Sequence, residues 1–127
     1  MFRRFVVAVA DVLFALATLG LVRRYEVEGR SMLRAYAPGD RLLVEGLTYR
    51  TRPPRVGEAV VVRREGRLDL KRIAAGPGAR VTLPEGERIL GAGEWYVLGD
   101  NLGESTDSRQ RGPVQTRDIL GRVWLKY

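Results

Sequence analysis

The spacing of apolar residues divides the chain into two parts. Phe5 to Val22 read FVVAVADVLFALATLGLV, an apolar run of eighteen residues with a single charge. Beyond Arg24 the apolar residues occur in short runs that Gly and Pro separate. Short runs rich in Val, Ile, Leu and aromatic residues predict β-strands joined by turns. We expect the strands at Arg41–Glu45, Ala59–Arg63, Leu68–Ala74, Arg80–Leu83, Trp95–Leu98 and Arg122–Tyr127.

This pattern predicts a mainly β fold preceded by a membrane helix. Residues 1–24 are expected to form an N-terminal anchor, and residues 25–127 a small antiparallel all-β domain, either a folded sheet or a barrel. At 127 residues the chain has room for one hydrophobic core. Its sequence shows no internal repeat and no long linker that would divide it further.

The apolar run is just long enough to cross a bilayer, since a spanning helix needs about 17–25 residues. Asp11 is its one defect, because a carboxylate in hydrocarbon is costly. Two alternatives to an anchor are a cleavable signal peptide, with Ala15-Leu16-Ala17 as its cleavage site, and a helix buried in a soluble core. The apolar run has two arginines on each side, Arg3-Arg4 and Arg23-Arg24, so these charges do not select an orientation in the membrane. Only the charge of the free amino terminus favours a cytoplasmic N-terminus.

Composition narrows the chemistry that the chain can perform. It contains twenty arginines and two lysines, but no histidine and no cysteine. A Ser-His-Asp triad, a thiol nucleophile and the usual zinc sites are therefore excluded, and arginine keeps its proton near neutral pH. A nucleophilic serine would need a lysine as its base. Lys126 stands next to the C-terminus, which leaves Lys71.

The net charge of +7 suits either nucleic acid or an anionic membrane surface. No run of basic residues is longer than two, and the aromatic residues do not interleave with them as a base-stacking surface requires. We therefore expect membrane lipid as a partner and no nucleic acid. A metal enzyme is disfavoured by the lack of His and Cys.

Two residues could together carry nucleophilic chemistry. Ser31 follows the apolar run in Glu28-Gly29-Arg30-Ser31-Met32, and Lys71 lies in a predicted strand between Leu70 and Arg72-Ile73. Burial of the lysine amine would lower its pKa by desolvation. A neutral amine accepts the proton of a serine hydroxyl.

The segment from Gly99 to Arg109 differs from an ordinary surface loop. It follows directly on an apolar strand and consists almost entirely of polar and turn-forming residues. Many of these side chains hydrogen-bond to their own backbone, which predicts a rigid loop. Asp107 and Arg109 are candidates for an ion pair, with Ser105 and Ser108 nearby.

Three motifs occur in a characteristic order. Gly29-x-Ser31-Met32 follows the apolar run, Lys71-Arg72-Ile73 with Gly76-Pro77-Gly78 comes next, and Gly99-Asp100-Asn101 with Ser105-x-Asp107-Ser108-Arg109 comes last. Together they resemble the type I signal (leader) peptidase family, which are membrane-anchored serine proteases with a Ser/Lys dyad. The resemblance covers nearly the whole chain, including Pro38-Gly39-Asp40, Gly112-Pro113-Val114 and Ile119–Arg122.

The resemblance implies a role for each matched residue. Ser31 would be the nucleophile, its backbone N–H would help to stabilise the oxyanion, and Lys71 would be the general base. Ser105 would hydrogen-bond the lysine, and Asp107 with Arg109 would hold the loop. No cofactor is implied. Shallow apolar pockets for small residues at −1 and −3 of the cleavage site would be lined by Tyr25, Val27, Met32 and Leu70.

Several positions depart from the family pattern. Arg34-Ala35-Tyr36 stands where the family usually has Pro-Thr-Leu, and Leu102 stands where Arg is frequent. Ala75 and Ala79 replace the usual Gly and Asp of the lysine motif. The large extra domain of some relatives is absent between Ala79 and Gly99. These changes concern substrate range and efficiency more than the dyad.

The expected protein is a monomeric, single-pass protease of the bacterial cytoplasmic membrane, with its catalytic domain on the outer face. It would remove signal peptides from exported preproteins. Alternatives are a dedicated processing peptidase with one substrate, a self-cleaving Ser/Lys regulatory protein that binds DNA, and a non-catalytic basic β-barrel. The regulatory protein would need a DNA-binding domain and an internal cleavage site, and the β-barrel would need neither the apolar run nor Lys71.

Overall fold

A computed structural model describes residues 9–12, 14–15 and 19–127. Residues 9–12 and 14–15 are helical. The other residues of the predicted anchor up to 18, namely 1–8, 13 and 16–18, lie outside the described residues. Within the described ranges, no helix has the length and apolar character that a membrane span requires. The anchor therefore stays a prediction.

From residue 19 onward the chain is built mainly from β-strands. The strands are β1 Val22–Glu26, β2 Arg41–Glu45, β3 Ala59–Arg64, β4 Arg67–Ala75, β5 Arg80–Leu83, β6 Gly86–Ile89, β7 Glu94–Leu98, β8 Val114–Gln115 and β9 Ile119–Lys126. A one-turn α-helix, α1, spans Ser108–Arg111, and 3-10 turns lie at Thr48–Arg50, Leu102–Glu104 and Thr116–Asp118.

Seven of the strands form one sheet in the order β1-β2-β9-β3-β4-β7-β8, and β5 with β6 forms a separate hairpin. All paired strands are antiparallel. The last strand, β9, lies between β2 and β3 and so connects the β1–β2 pair to the rest of the sheet. The predicted antiparallel all-β domain is confirmed.

Strand β3 has core on both of its faces. Residues 59–62 are all buried, and because successive side chains point to opposite faces they enter two different clusters. The first cluster contains Val27, Met32, Leu42, Val44, Ala59, Val61 and Leu70. The second contains Val60, Val62, Ile73, Trp95, Val97, Val114 and Ile119. A third, smaller cluster supports the hairpin with Val81, Leu83, Leu90 and Tyr96.

Five of the predicted strands match β2, β3, β4, β5 and β7 to within one residue at each end. Strands β6 and β8 were not predicted, because every residue of β6 is exposed and β8 has only two residues, so neither shows an alternating pattern. Strand β1 was also missed: it begins at Val22 and takes residues 22–24 of the expected anchor segment into the sheet. Strand β9 begins at Ile119, three residues before the predicted start at Arg122.

The first cluster leads to a test of the core. Leu42 is 0% exposed within it, whereas Leu68 on β4 is 41% exposed. We expect Leu42→Ala to lower the free energy of unfolding by about 2–5 kcal/mol, because it removes buried methyl groups and leaves a cavity. Leu68→Ala is the matched control and should change it by about 0.5 kcal/mol or less. Urea denaturation followed by tryptophan fluorescence measures both, and equal losses would contradict this assignment of the core.

Candidate active site

Lys71 lies in the middle of β4 and is only 6% exposed. Its strand neighbours Leu70 and Ile73 are buried in the first and second core clusters. The amine nitrogen donates a hydrogen bond to the Ser105 hydroxyl at 3.1 Å. In the described part of the chain this hydroxyl, and not a carboxylate, is its hydrogen-bond partner.

The environment of Lys71 favours the neutral amine. Burial lowers the pKa of Lys71 below the usual lysine value, and the guanidinium groups of Arg111 and Arg64 add to that effect. The carboxylates of Asp69 and Asp107 oppose it without reversing it. A buried lysine with a lowered pKa is able to accept a proton at a pH where an exposed lysine is not.

A chain of hydrogen bonds leads from Lys71 into the segment that follows β7. The Ser105 hydroxyl donates to Asp107 Oδ2 at 2.7 Å, so its oxygen is left to accept from the lysine amine. Burial alone would raise the pKa of Asp107, but hydrogen bonds from Arg109, the Gly99 N–H and Ser105 outweigh burial and lower the pKa to about 2. Asp107 is therefore a carboxylate at neutral pH and accepts only. This fixes the direction of every hydrogen bond in the chain.

Arg109 compensates the buried charge of Asp107. Its Nε lies 2.9 Å from Asp107 Oδ1, and its backbone N–H donates to the same oxygen at 3.2 Å. The guanidinium also donates to the carbonyl oxygens of Leu102 and Ser105 at 2.8 and 3.1 Å. Because the Asp107 side chain is fully buried, these bonds satisfy a charge that solvent cannot reach.

Helix α1 begins from the same carboxylate. Asp107 is the N-cap residue, and the Gln110 side chain accepts the Asp107 backbone N–H at 2.9 Å, which completes a capping box. Ser108, also fully buried, accepts the Val97 N–H at 2.9 Å and joins the helix to β7. The predicted hydrogen bonding of this loop to itself is present, and its rigidity stays a prediction.

Ser31 lies on a turn that follows β1 and is partly buried. Its carbonyl oxygen accepts the Asn101 N–H at 2.8 Å, and the Asn101 side chain donates to the Arg30 carbonyl at 3.1 Å. Met32 behind it is 1% exposed and its sulfur accepts the Asp100 N–H at 3.4 Å. The serine turn is thus bonded to the start of the segment that holds Lys71.

At Gly99 the turn that carries Ser31 and the segment that carries Ser105 come into close contact. A Cβ added there would overlap the Ser105 side chain and lie 2.7 Å from the Ser31 carbonyl oxygen. No hydrogen bond joins the Ser31 hydroxyl to the Lys71 amine among the described residues. The structure therefore brings Ser31, Lys71 and Ser105 to one region, with the lysine bonded to Ser105.

The four predicted pocket residues lie together. Val27, Met32 and Leu70 are members of the first core cluster at 4%, 1% and 4% exposure, and Tyr25 packs against that cluster from the outside. Burial raises the pKa of the Tyr25 phenol, as do the carboxylates of Asp69 and Glu28. Of the four, only Tyr25 offers substantial surface, and the pocket stays a prediction.

Several residues near the site were not singled out from the sequence. Arg72 forms a bidentate ion pair with Asp100, with two bonds of 2.8 Å, and so joins β4 to the end of β7. Arg64 and Arg111 contribute positive potential at Lys71 from distant positions in the sequence. Arg72 is next to Lys71 and Asp100 is in the last motif, so their ion pair could have been inferred from the sequence. Nothing in the sequence around Arg64 and Arg111 indicated that they lie near Lys71.

An antiparallel β domain that brings a serine and a buried lysine amine together, in a chain without histidine, is typical of a class of serine endopeptidases. The comparisons with known proteins agree with this class. The chain belongs to the family described as signal peptidase, peptidase S26, whose sequence profile matches residues 1–90 and 82–127. The resemblance in its motifs is confirmed, and the protein is a serine endopeptidase.

Individual relatives cover most of the chain. A probable signal peptidase I-1 of Synechocystis sp. is 28% identical over 151 aligned positions, 89% of this chain and 77% of that protein. The signal peptidase I of Bacillus caldolyticus is 28% identical over 163 positions, 98% of this chain and 90% of that protein. The mitochondrial ATP-independent inner membrane protease subunit 1a of Arabidopsis thaliana is 33% identical over 118 positions, 84% of this chain and 70% of that protein.

The low pKa of Asp107 leads to a prediction about acid stability. The pKa is about 2 in the folded chain and 3.8 in the unfolded one, so the carboxylate contributes about 2 kcal/mol above pH 4 that is lost as the pH falls towards 2. Asp107→Asn should be destabilised at neutral pH, and its deficit relative to the wild type should shrink between pH 4 and 2. Urea denaturation at several pH values measures this deficit.

Ser105→Ala is the matched control for that experiment. It removes one donor to Asp107 and keeps the carboxylate, Arg109 and the Gly99 N–H. Most of the acid dependence should therefore remain in this variant. A deficit of Asp107→Asn that is the same at pH 2 and pH 6 would show that the ionised carboxylate does not stabilise the fold.

Proposed function

We propose that this chain removes signal peptides from exported preproteins, with Ser31 as the nucleophile and Lys71 as the general base. The environment of Lys71 is the observation that supports this assignment. The Lys71 amine is buried, its pKa is lowered, and its hydrogen-bond partner among the described residues is the neutral hydroxyl of Ser105. The names of the signal peptidase I relatives support the substrate class.

The reaction proceeds by two acyl transfers. The neutral Lys71 amine takes the hydroxyl proton as Ser31 Oγ bonds to the scissile carbonyl carbon. The lysine ammonium then gives this proton to the leaving amine as the C–N bond breaks, which leaves an ester on Ser31. Lys71 next takes a proton from water, and the hydroxide oxygen attacks the ester. The lysine ammonium returns the proton to Ser31 Oγ as the ester C–O bond breaks, and the signal peptide leaves with a free carboxyl terminus. No cofactor takes part.

The backbone around Ser31 supports oxyanion stabilisation. The Ser31 N–H has no hydrogen-bond partner among the described residues and is free to donate to the developing negative oxygen. The Ser31 carbonyl is held by the Asn101 N–H at 2.8 Å, which orients the peptide unit on the other side of the residue. Gly29 precedes this turn with a φ of 70°, a backbone conformation that glycine adopts without strain.

Ser105, Asp107 and Arg109 act through Lys71. Because Ser105 donates its hydroxyl proton to Asp107, the amine must donate one of its own hydrogens to Ser105. In the neutral amine this fixes one N–H bond and leaves the lone pair to point elsewhere, where it is available to the Ser31 hydroxyl. Asp107 and Arg109 hold Ser105 in place.

Substrate selection follows from the packing near Tyr25. Val27, Met32 and Leu70 form a floor with almost no exposed surface, so residues at −1 and −3 of the substrate find little depth. Small side chains fit such pockets, and larger ones overlap the walls.

Residues 1–24 are proposed to anchor a monomer in the bacterial cytoplasmic membrane with the catalytic domain outside, in contact with lipid and signal peptides.

A dedicated processing peptidase with one substrate is the second candidate. The observation that favours it is the 26% identity, over 80% of this chain and 36% of the relative, to a protein named probable thylakoidal processing peptidase 2 of Arabidopsis thaliana. A general signal peptidase should cleave several unrelated preproteins at comparable rates. Cleavage of a single preprotein among many tested would favour the dedicated processing peptidase.

The dyad is tested by substitution at its two members. Ser31→Ala removes the attacking oxygen, and Lys71→Met removes the amine while keeping most of the stem. Each should abolish cleavage of a preprotein with an Ala-x-Ala site, and the double variant should be no worse, since the pair acts as a unit. Lys71→Arg should be equally inactive because a guanidinium does not accept the hydroxyl proton.

The pH dependence of the wild type provides a second readout. Only the neutral amine is a base, so the rate should rise with pH through a midpoint below the usual lysine value of 10.5. Lys126→Met is the control, because Lys126 is exposed and pairs with Asp40, and it should cut normally with an unchanged profile. Substantial activity in Lys71→Arg would rule out Lys71 as the base.

The shallow pocket predicts selectivity at −1. Substrates that differ only there should be cleaved with Ala or Gly and rejected with Leu. We expect the kcat/KM for Leu to be lower by roughly five- to a hundredfold, because overpacking a well-packed site costs about 1–3 kcal/mol. Comparable kcat/KM values for Ala and Leu would contradict the pocket assignment.

A further inference from the structure

A cavity beside Ser31 has no part in the proposed mechanism. Its volume is about 550 Å³, and its lining residues are Arg30, Leu33, Arg34, Asp100, Asn101 and Leu102. Three of these belong to the turn that carries Ser31, and the other three to the segment that follows β7. Arg34 is one of the positions where this chain departs from the family pattern, since it begins the tripeptide that replaces Pro-Thr-Leu.

Strand β4 shows on which side of the reacting bond this cavity lies. Tyr25, at the proposed −1 and −3 pockets, is next to Asp69 and Leu70. Asp100, at the cavity, is bonded to Arg72 at the other side of Lys71. Successive residues of a strand advance by about 3.3 Å, so the two regions are separated along β4 with the lysine between them. A peptide whose signal end is bound near Tyr25 and whose scissile carbonyl lies at Lys71 would reach the cavity beyond the cleaved bond.

The charges in the cavity leave one cation without a partner. Arg30 pairs with Glu104 at 2.9 Å, and Asp100 is held by Arg72. Arg34 is exposed and makes no hydrogen bond or ion pair within the described part of the chain. Leu33 and Leu102 offer apolar surface beside it, against which the methylene groups of a substrate side chain can pack.

We propose that this cavity binds the first three residues of the mature protein, +1 to +3, and that Arg34 selects an acidic side chain among them. The inference rests on the proposed function, because it takes Ser31 as the cleavage point. The carboxylate of Asp or Glu supplies the partner that Arg34 lacks, and a lysine at the same place is repelled. Arg34 is thus a specificity-determining residue on the product side of the site.

The test uses the full-length chain in a neutral detergent and preproteins that differ at one position. Glu, Gln or Lys is placed in turn at +1, +2 and +3 behind an Ala-x-Ala site. At one of these positions we expect kcat/KM to be about two- to fivefold higher for Glu than for Gln, the range of an exposed ion pair, and lower for Lys. The preference should decline in 0.5 M salt because the charges are exposed.

Substitution of Arg34 identifies the source of the preference. Arg34→Gln should lose the discrimination among the Glu, Gln and Lys substrates. Arg34→Glu should reverse the order, with Lys preferred. Arg117→Gln, at an exposed arginine that lines neither the cavity nor the Ser31 turn, is the control and should keep the wild-type preference.

The outcomes separate this inference from the proposed function. Equal cleavage of Glu, Gln and Lys substrates by the wild type at all three positions would overturn the role of Arg34 and leave the dyad intact. Failure of the wild type to cleave any substrate would contradict the proposed function. Binding of the same peptides to Ser31→Ala then tests the cavity by itself, and equal Kd values for Glu and Lys would overturn the inference.

Discussion

A buried amine without a carboxylate partner is the constraint on which this site depends. A direct ion pair with Asp107 would favour the ammonium form and raise the pKa of Lys71. Ser105 lies between the two groups, donates to Asp107 and accepts from Lys71. The charge of Asp107 is instead compensated by Arg109. The amine keeps one orienting bond, and the carboxylates of Asp69 and Asp107 stabilise its charged form less than burial destabilises it.

The segment from Gly99 to Gly112 positions both halves of the site at once. It holds the serine turn through the bond from the Asn101 N–H to the Ser31 carbonyl, and it holds the lysine through Ser105. Its own shape is set by Asp107, which caps α1 and accepts the Gly99 N–H. Displacement of this segment would therefore move the serine and the lysine together. The sheet holds Lys71 on β4, and this segment sets the positions of the Lys71 amine and of the Ser31 turn through its hydrogen bonds.

The sequence predicted the burial of Lys71 and the bounds of most strands, but it did not predict the exposed or very short strands. The absence of histidine and cysteine left Lys71 as the candidate base, and the structure shows it buried next to Ser105 as expected. Strand β3 was recognised because four successive apolar residues are buried. Strand β6 was not, because an edge strand with every residue exposed needs no apolar pattern. The packing at Gly99 was also beyond a linear reading, since it depends on contacts between residues far apart in the chain.

The β5–β6 hairpin forms a sheet of its own, and this has a consequence for how the chain can change in length. Residues between β4 and β7 leave the main sheet, and bonds from the Gly78 and Leu90 N–H groups to the Leu90 and Ala79 carbonyls close the base of this excursion. Its tip, Pro84-Glu85, joins two strands that share no ladder with the catalytic sheet. Each doubling of a flexible loop costs only about 0.6 kcal/mol. Whole modules can therefore be grafted at the tip of this hairpin while the register of β4 against β7, and with it the catalytic geometry, is preserved.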